Sequence, residues 1–321
     1  MNIERIITKR HQKNLFWWEL VFEWEEYFNE QLHSSYFYES PFLSSKIARY
    51  FSKVTKNLLP RKKAFVFEMG PSSYRIYNKS NIIPLIIDFY PKDELLPGII
   101  KSYSNNPLIL ISSKQVYDYL VNIGFPIPLR HLPLSLPDKY LLSADMKFEK
   151  KIDLVQVGRI SDVMLQYTEE YAKRHPKFVY VRRKWENGHN VYYDSKGRLM
   201  GIFDSREEYW TLIRMSRTAI YTTSGMDDDK KTGSDFHQVT PRFLELLAAG
   251  CHVICRYQKN SDTDYYELEK FSKSVDSYEE FENQLDMALS REVDVNMYSE
   301  YLKKHITSTR VNQLKSILNY L

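Results

Sequence analysis

The chain has 321 residues, which is enough for two domains of ordinary size. Hydrophobic residues make up 43% of the chain and charged residues 27%, a balance typical of globular proteins and not of disordered ones. The formal net charge of +4 is too small to predict nucleic-acid binding, which normally needs a concentrated basic face. It is compatible with a positive pocket for a phosphorylated ligand.

The first predicted element is an aromatic helix at residues 14–31, NLFWWELVFEWEEYFNEQ. Bulky side chains nearly encircle this helix, so something must cover it. Either it packs on its own domain, or it contacts a partner or a membrane surface, although its glutamates are unusual for a membrane helix. The sequence has no apolar run suited to a signal peptide or a membrane span. We therefore expect a cytoplasmic protein, associated at most with the inner face of the membrane.

Two successive α/β patterns follow, each with short apolar runs that alternate with helices. Such alternation predicts a parallel sheet covered by helices on both faces. The apolar runs lie at 62–70, 81–89, 106–113, 151–159, 177–183, 217–223 and 251–257. We expect an α/β fold with two Rossmann-like domains, residues 1–140 and residues 150–321. The C-terminal helices are expected to cross back to the first domain.

The most informative stretch is TPRFLELLAAG, residues 240–250, which comes directly before a strand. Thr240 is a suitable N-cap for a helix, and Gly250 suits the position just past its end. The N-terminus of a helix favours a phosphate, to which Arg242 can add a bidentate contact. Glu245 lies one turn further on and can accept hydrogen bonds from a ribose diol. Alternatively, Arg242 and Glu245 pair with each other on a solvated face.

The run RFLELLAAGCHVIC resembles the donor-site helix of GT-B glycosyltransferases, in which a glutamate precedes Ala-Ala-Gly or a similar turn and a strand follows. Retaining members carry a second glutamate eight positions earlier, in the pattern Glu-x7-Glu, and this chain has His237 there. The imidazole can contact the sugar or its phosphate, or His237 can be an ordinary loop residue. VQVGR resembles the first strand of the donor domain, whose trailing Gly158 and Arg159 approach the diphosphate. The alternative is a strand end with a surface arginine.

The resemblance implies two Rossmann-like domains that face a cleft, and sugar transfer from a nucleotide-diphosphate donor with no other cofactor. The acceptor implied is a hydroxyl of a surface glycan, a lipid-linked glycan or a protein. A nucleotide-sugar epimerase of the same fold would use a similar diphosphate site. A third alternative is a non-catalytic binding or scaffold protein that docks through its aromatic helix.

The polar loop at residues 224–239 adjoins the predicted donor site. Its run Asp227–Asp229 superficially resembles the Asp-x-Asp metal motif of the other large glycosyltransferase fold, but acidic triplets are common in loops. We expect no metal. Lys230 and Lys231 can neutralise the leaving diphosphate in its place.

On the acceptor side, the proton acceptor should lie at the carboxyl ends of the strands, where open α/β sheets bind ligands. Glu68 and Asp88 occupy such positions in FVFEMG and LIIDFY. An inverting transferase needs one carboxylate or histidine to take the proton from the acceptor hydroxyl. Asp88 is the first choice and Glu68 the second. Otherwise they cap the following helices or pair with nearby lysines.

Overall fold

The computed structural model describes residues 2–12, 16–40, 42, 58–71, 76–143, 145–158, 161–227 and 235–320. The chain forms two compact units. The first comprises Met1–Asp138 and Ile306–Leu321, and the second comprises Lys139–His305. The C-terminal segment thus returns to the first unit, as the sequence predicts.

The first unit contains a sheet in which all neighbouring strands are parallel. Its strand order is β2-β1-β3-β4-β5-β6. The strands are β1 (Arg5–Thr8), β2 (Ser35–Tyr38), β3 (Ala64–Glu68), β4 (Ile82–Ile86), β5 (Ile109–Ile111) and β6 (Leu129–His131). The helices are α1 (Phe16–Gln31), α2 (Leu96–Tyr103), α3 (Lys114–Asn122) and, at the C-terminus, α10 (Thr307–Asn319).

The three central strands match the predicted apolar runs. Every residue of β3, β4 and β5 is buried, as expected of a parallel sheet with both faces covered. The edge pair β1 and β2 was not predicted. Each has only four residues, and β2 is partly exposed, so neither gives a long apolar run.

Helix α1 packs inside its own unit, which is the first of the two alternatives. Trp18, Phe22, Trp24 and Phe28 are buried in a core that also contains β3 and α10 residues. The Trp24 indole donates a hydrogen bond to the Ser135 carbonyl at 3.0 Å. These aromatic side chains are therefore not available to a membrane or a partner. Within the described ranges, no helix has the length and apolar character needed to cross a bilayer.

The second unit contains a mixed sheet of strand order β10-β9-β8-β7-β11-β12. Its strands are β7 (Ile152–Gln156), β8 (Tyr180–Glu186), β9 (His189–Asp194), β10 (Leu199–Ile202), β11 (Ser216–Thr222) and β12 (His252–Arg256). Its helices are α4 (Asp162–Arg174), α5 (Arg206–Arg214), α6 (Arg242–Ala248), α7 (Ser261–Tyr265), α8 (Tyr278–Ser290) and α9 (Val295–Lys303). Strands β8, β7, β11 and β12 are parallel neighbours, and β8–β10 are antiparallel. Strands β8–β10 thus form an antiparallel hairpin that extends this sheet at one edge.

Candidate functional site

Helix α6 begins one residue later than predicted. Pro241 precedes it, and no side chain caps it, so the prediction of Thr240 as the N-cap is wrong. The Thr240 N–H instead donates to the Tyr221 hydroxyl at 2.8 Å. Gly250 lies just past the end of the helix with a φ of 65°, as predicted. Because α6 has only seven residues, a phosphate here would depend more on side-chain charge than on the helix terminus.

The structure brings together Gly158 and Arg242, two of the residues predicted to bind the donor. Gly158 follows β7 with a φ of 70°, a conformation that glycine adopts at no steric cost. The Arg242 guanidinium lies directly over it: a Cβ atom at Gly158 would stand 2.1 Å from Arg242 Cζ. The absence of a side chain at Gly158 is therefore what lets the guanidinium cover the carboxyl end of β7.

Arg242 is half-buried among tyrosines. Burial raises the pKa of Tyr192 and of Tyr221 to about 12, and the Arg242 charge acts against that rise in both. Burial also raises the pKa of Tyr209 well above its usual range, and Arg242 opposes this rise too. Across the described chain, Arg242 forms no ion pair with a carboxylate. The result is a half-buried cation that has no counter-ion among these described residues.

Glu245 is buried and pairs with a different helix. Its carboxylate accepts hydrogen bonds from Arg206 Nη1 at 2.5 Å and from the Tyr209 hydroxyl at 3.0 Å, both in α5. The predicted alternative of a surface pair with Arg242 is therefore wrong, because Glu245 is only 4% exposed and its partner is Arg206. A carboxylate has about four acceptor positions, so two remain for a ribose diol. The ribose contact stays a prediction.

His237 is buried at the position that the Glu-x7-Glu pattern gives to a glutamate. Its Nδ1 donates to the Ser224 carbonyl at 3.1 Å. The ring lies against Gly225, where an added Cβ atom would stand 3.1 Å from Nδ1. This packing fixes the orientation of the imidazole on its own loop, and a contact with the sugar stays a prediction.

Arg159, Lys230 and Lys231 lie outside the described residues, as do Asp228 and Asp229. Asp227 is described, and it has protein partners. It accepts hydrogen bonds from Ser161 and from Arg256, whose Nη2 lies 2.8 Å away. Although burial alone would raise the pKa of Asp227, the bonds from Arg256 and Ser161 lower it. Asp227 thus serves as a counter-ion for Arg256.

Glu68 and Asp88 lie near each other at the carboxyl ends of β3 and β4. The two strands pair in register at Glu68 and Ile86, so Asp88 comes two residues beyond that level. Asp88 is exposed, whereas Glu68 is 2% exposed. One Glu68 oxygen accepts a hydrogen bond from the Tyr103 hydroxyl, and the other, Oε1, has no hydrogen-bond partner among the described residues. Burial raises the pKa of Glu68 to about 7, although the Lys9 charge and the Tyr103 bond oppose the rise.

Sequence reasoning missed further buried carboxylates in the first unit, among them Glu25 and Glu39. Glu25 accepts a hydrogen bond from the Thr8 hydroxyl at 2.5 Å, and Glu39 accepts one from Tyr77. Burial raises the pKa of Glu25 to about 8. Glu25 lies in the aromatic helix and Glu39 follows a strand that was not predicted, so neither position stood out in the sequence.

No model of a known protein family matches this chain, and no curated protein matches it either. Solved structures do share its fold. An S. aureus TarM variant, in complex with fondaparinux, alpha-GlcNAc-glycerol and UDP, is 10% identical with a TM-score of 0.59, over 84% of this chain and 58% of that one. The pneumococcal O-GlcNAc transferase GtfA, in complex with UDP and GlcNAc, is 8% identical with a TM-score of 0.53, over 84% and 59%. This chain therefore spans about three fifths of the length of each.

A third similar structure is the apo form of the lipopolysaccharide outer core galactosyltransferase WaaB. It is 10% identical with a TM-score of 0.51, and all of both chains is covered. Identities this low show the fold alone. They confirm the predicted fold class, in which two parallel-rich α/β units match those of GT-B glycosyltransferases.

We expect Glu245→Gln to lower the free energy of unfolding by about 3 kcal/mol, because it removes the charge that balances the buried Arg206. Urea unfolding measures this loss. Glu170→Gln is the matched control, since Glu170 pairs with Arg174 at an exposed site and its loss should change the free energy of unfolding far less.

The same variant tests the ribose contact through the affinities of ribo- and 2′-deoxyribonucleoside diphosphates. If Glu245 binds the 2′-hydroxyl, loss of that hydroxyl weakens binding to wild type more than binding to the variant. An equal penalty in both proteins would show that Glu245 does not contact the 2′-hydroxyl.

Proposed function

We propose that this chain is a glycosyltransferase that moves a sugar from a nucleotide-diphosphate donor to an acceptor hydroxyl. The donor binds to the second unit. The observation that carries the proposal is the Arg242 guanidinium, which covers Gly158 at the end of β7 and forms no ion pair with a described residue. Similarity in fold to transferases crystallised with UDP supports the same conclusion.

The physical reason lies in the cost of an uncompensated charge. A half-buried cation without a counter-ion is poorly solvated, and a bound anion relieves that cost. The carboxyl end of a parallel strand is where open α/β sheets bind ligands, and the bare Gly158 backbone allows a close approach. A diphosphate satisfies both conditions, because its oxygens accept the paired N–H groups of a guanidinium.

Other parts of the second unit complete the proposed donor site. Glu245 accepts hydrogen bonds from the ribose through the acceptor positions that Arg206 and Tyr209 leave open. We propose that His237, at the position of the first glutamate in the Glu-x7-Glu pattern, contacts the sugar. The donor-binding residues that we propose are Gly158, Arg159, Lys230, Lys231, Thr240, Arg242 and Glu245.

We expect Arg242→Ala to weaken the binding of a nucleoside diphosphate by about 1.5–3 kcal/mol, the usual worth of a hydrogen bond to a charged group. Isothermal titration with UDP, GDP and ADP measures the change. The melting temperature should stay near that of wild type, because Arg242 pairs with no carboxylate in the ranges that the structure describes. The control is Arg217→Ala, which removes a half-buried arginine that lies 3.6 Å from Glu292 and is not part of the proposed site. Unchanged affinity in Arg242→Ala would contradict the proposal.

Gly158→Ala provides an independent route to the same contact, because its Cβ atom would displace the Arg242 guanidinium. As a single substitution, Gly158→Ala should weaken the binding of a nucleoside diphosphate. In the Arg242→Ala background its further effect should be smaller, since there is no guanidinium left to displace and only the backbone strain of an alanine at a φ of 70° remains. Additive losses in the double variant would mean that the two residues act separately.

We further propose that transfer needs no metal ion. Arg242, together with Arg159, Lys230 and Lys231 from the sequence, supplies positive charge to the leaving diphosphate. Turnover with a radiolabelled donor should therefore persist in excess EDTA. Loss of turnover in chelator that magnesium or manganese restores would contradict this and would assign a metal to the loop at 224–239.

For the acceptor hydroxyl, which we place on a surface glycan, a lipid-linked glycan or a protein, we propose Glu68 as the proton acceptor. Asp88 was the first choice from the sequence, but two features favour Glu68. Its Oε1 atom lacks a hydrogen bond in the described part of the unit, and burial raises its pKa to about 7. A base with a pKa near neutral combines a useful ionised fraction with affinity for the proton.

The pH dependence of turnover tests this assignment. Only ionised Glu68 can accept a proton, so kcat should rise with pH and level off above about 7, the pKa of the buried carboxyl. Glu68→Gln should reduce kcat by about 10²–10⁴-fold. Asp88→Asn, the matched control at the next strand, should keep both the rate and the pH profile. The reverse result would identify Asp88 as the base.

A further inference from the structure

Arg183, in the hairpin that extends the second sheet, reaches the same strand end as Arg242. Strands β7 and β8 are parallel and pair at Gln156 and Arg182. Arg183 is the next residue of β8, so across the strand pair it lies opposite the residue that precedes Gly158 in the chain. Arg242 covers Gly158 itself, so both guanidinium-bearing side chains belong to the carboxyl end of β7.

The two adjacent arginines of β8 face opposite sides of the sheet. Arg182 Nη1 donates to Glu169 of α4 at 2.9 Å, which places Arg182 on the α4 side. Because side chains alternate along a strand, Arg183 lies on the other face. The sequence reads simply as VRRK, and nothing in it distinguishes the paired arginine from its neighbour.

Among the described residues, no carboxylate forms an ion pair with Arg183. Its Nη1 donates to the neutral side-chain oxygen of Asn190 at 3.3 Å. Asn190 in turn donates to Asp204 Oδ1, from its main-chain N–H at 2.8 Å and from its side-chain amide at 3.2 Å. The amide therefore stands between the guanidinium and the nearest acid of that network. In the part of the chain that the structure describes, neither Arg183 nor Arg242 forms an ion pair.

The two charges act on each other and on one tyrosine. Burial lowers the pKa of Arg183; the Tyr192 phenol opposes this, and the Arg242 charge lowers the pKa further. Tyr192, which pairs with Arg183 across the hairpin, is buried, and both arginines act on its hydroxyl. The positive charges of Arg183 and Arg242 repel each other where water is partly excluded, and an anion bound between them would remove that repulsion.

We propose that Arg183 and Arg242 form a two-guanidinium clamp for the diphosphate of the donor, which makes the hairpin β8–β10 part of the donor site. The inference rests on the proposed function and adds to it a second cation and a preference for two phosphates. Each planar guanidinium can bind one phosphate through two parallel N–H groups. A monophosphate can satisfy only one of them.

The test compares Arg183→Gln with Arg182→Gln, a neighbouring arginine on the opposite face. The probes are inorganic pyrophosphate, UDP, GDP and ADP, and the corresponding nucleoside monophosphates, titrated into the full chain. Wild type should bind the preferred diphosphate more tightly than its monophosphate. Arg183→Gln should weaken diphosphate binding about tenfold or more and reduce that preference, whereas Arg182→Gln should match wild type.

Arg183→Lys keeps the charge but loses the bidentate geometry, so its affinity should lie between those of wild type and Arg183→Gln. This variant also serves if Arg183→Gln fails to fold. A wild-type ratio of diphosphate to monophosphate affinity in both folded variants, or in Arg183→Lys alone if only that folds, would overturn the clamp.

The outcomes also separate the clamp from the proposed function. If wild type and Arg183→Gln bind a nucleoside diphosphate equally while Arg242→Ala does not, the clamp is wrong and the donor site stands. If wild type binds pyrophosphate through both arginines but no nucleotide, the clamp is supported as an anion site and the proposed function fails. If wild type binds none of the probes, both are overturned.

Discussion

The buried ion pair between Arg206 and Glu245 is the interaction on which the second unit's site depends. It joins α5 to α6, and both side chains are almost withdrawn from water, with 9% and 6% of each exposed. Desolvation of two charges is costly, so the pair requires close geometry and the added bond from Tyr209. Any rotation or sliding of α6 would break it. Because Arg242 begins the same short helix, we infer that this pair sets where its guanidinium lies.

The arginines of this unit differ in whether the chain neutralises them. Arg206 is balanced by Glu245, Arg182 by Glu169 and Arg256 by Asp227. In contrast, Arg183 donates to the neutral side-chain amide of Asn190, and Arg242 lies over the backbone of Gly158. Burial without a counter-ion costs free energy in the unbound protein, and a bound anion recovers it. Arg214 also forms no ion pair in the described part of the chain, but it stacks against Phe148 and Trp210. The contrast therefore agrees with the proposal that a ligand supplies the charge opposite Arg183 and Arg242.

The sequence predicted those features that short-range patterns determine. Continuous apolar runs gave β3, β4 and β5, and the Pro-Arg…Ala-Ala-Gly stretch gave α6 and the place of Arg242. It missed features that depend on distant residues. Glu245 has the spacing of a surface partner for Arg242, but its actual partner precedes it by 39 residues. Likewise, the orientation of Arg183 depends on the register of β7 and β8, and that register is a tertiary property without a local signature.

The two units also differ in the charge that each buries at its candidate site. The first carries buried carboxylates, among them Glu25, Glu39 and Glu68, and the pKa of Glu25 and of Glu68 lies near or above neutral. In the second, the guanidinium groups of Arg183 and Arg242 form no ion pair with any described residue. Buried acids of raised pKa exchange protons readily near pH 7, whereas guanidinium groups stay charged and bind anions. The proposed sugar transfer to a hydroxyl needs both chemistries, a proton acceptor and a cation for the leaving diphosphate, and the buried carboxylates of the first unit and the arginines of the second supply one each under that proposal.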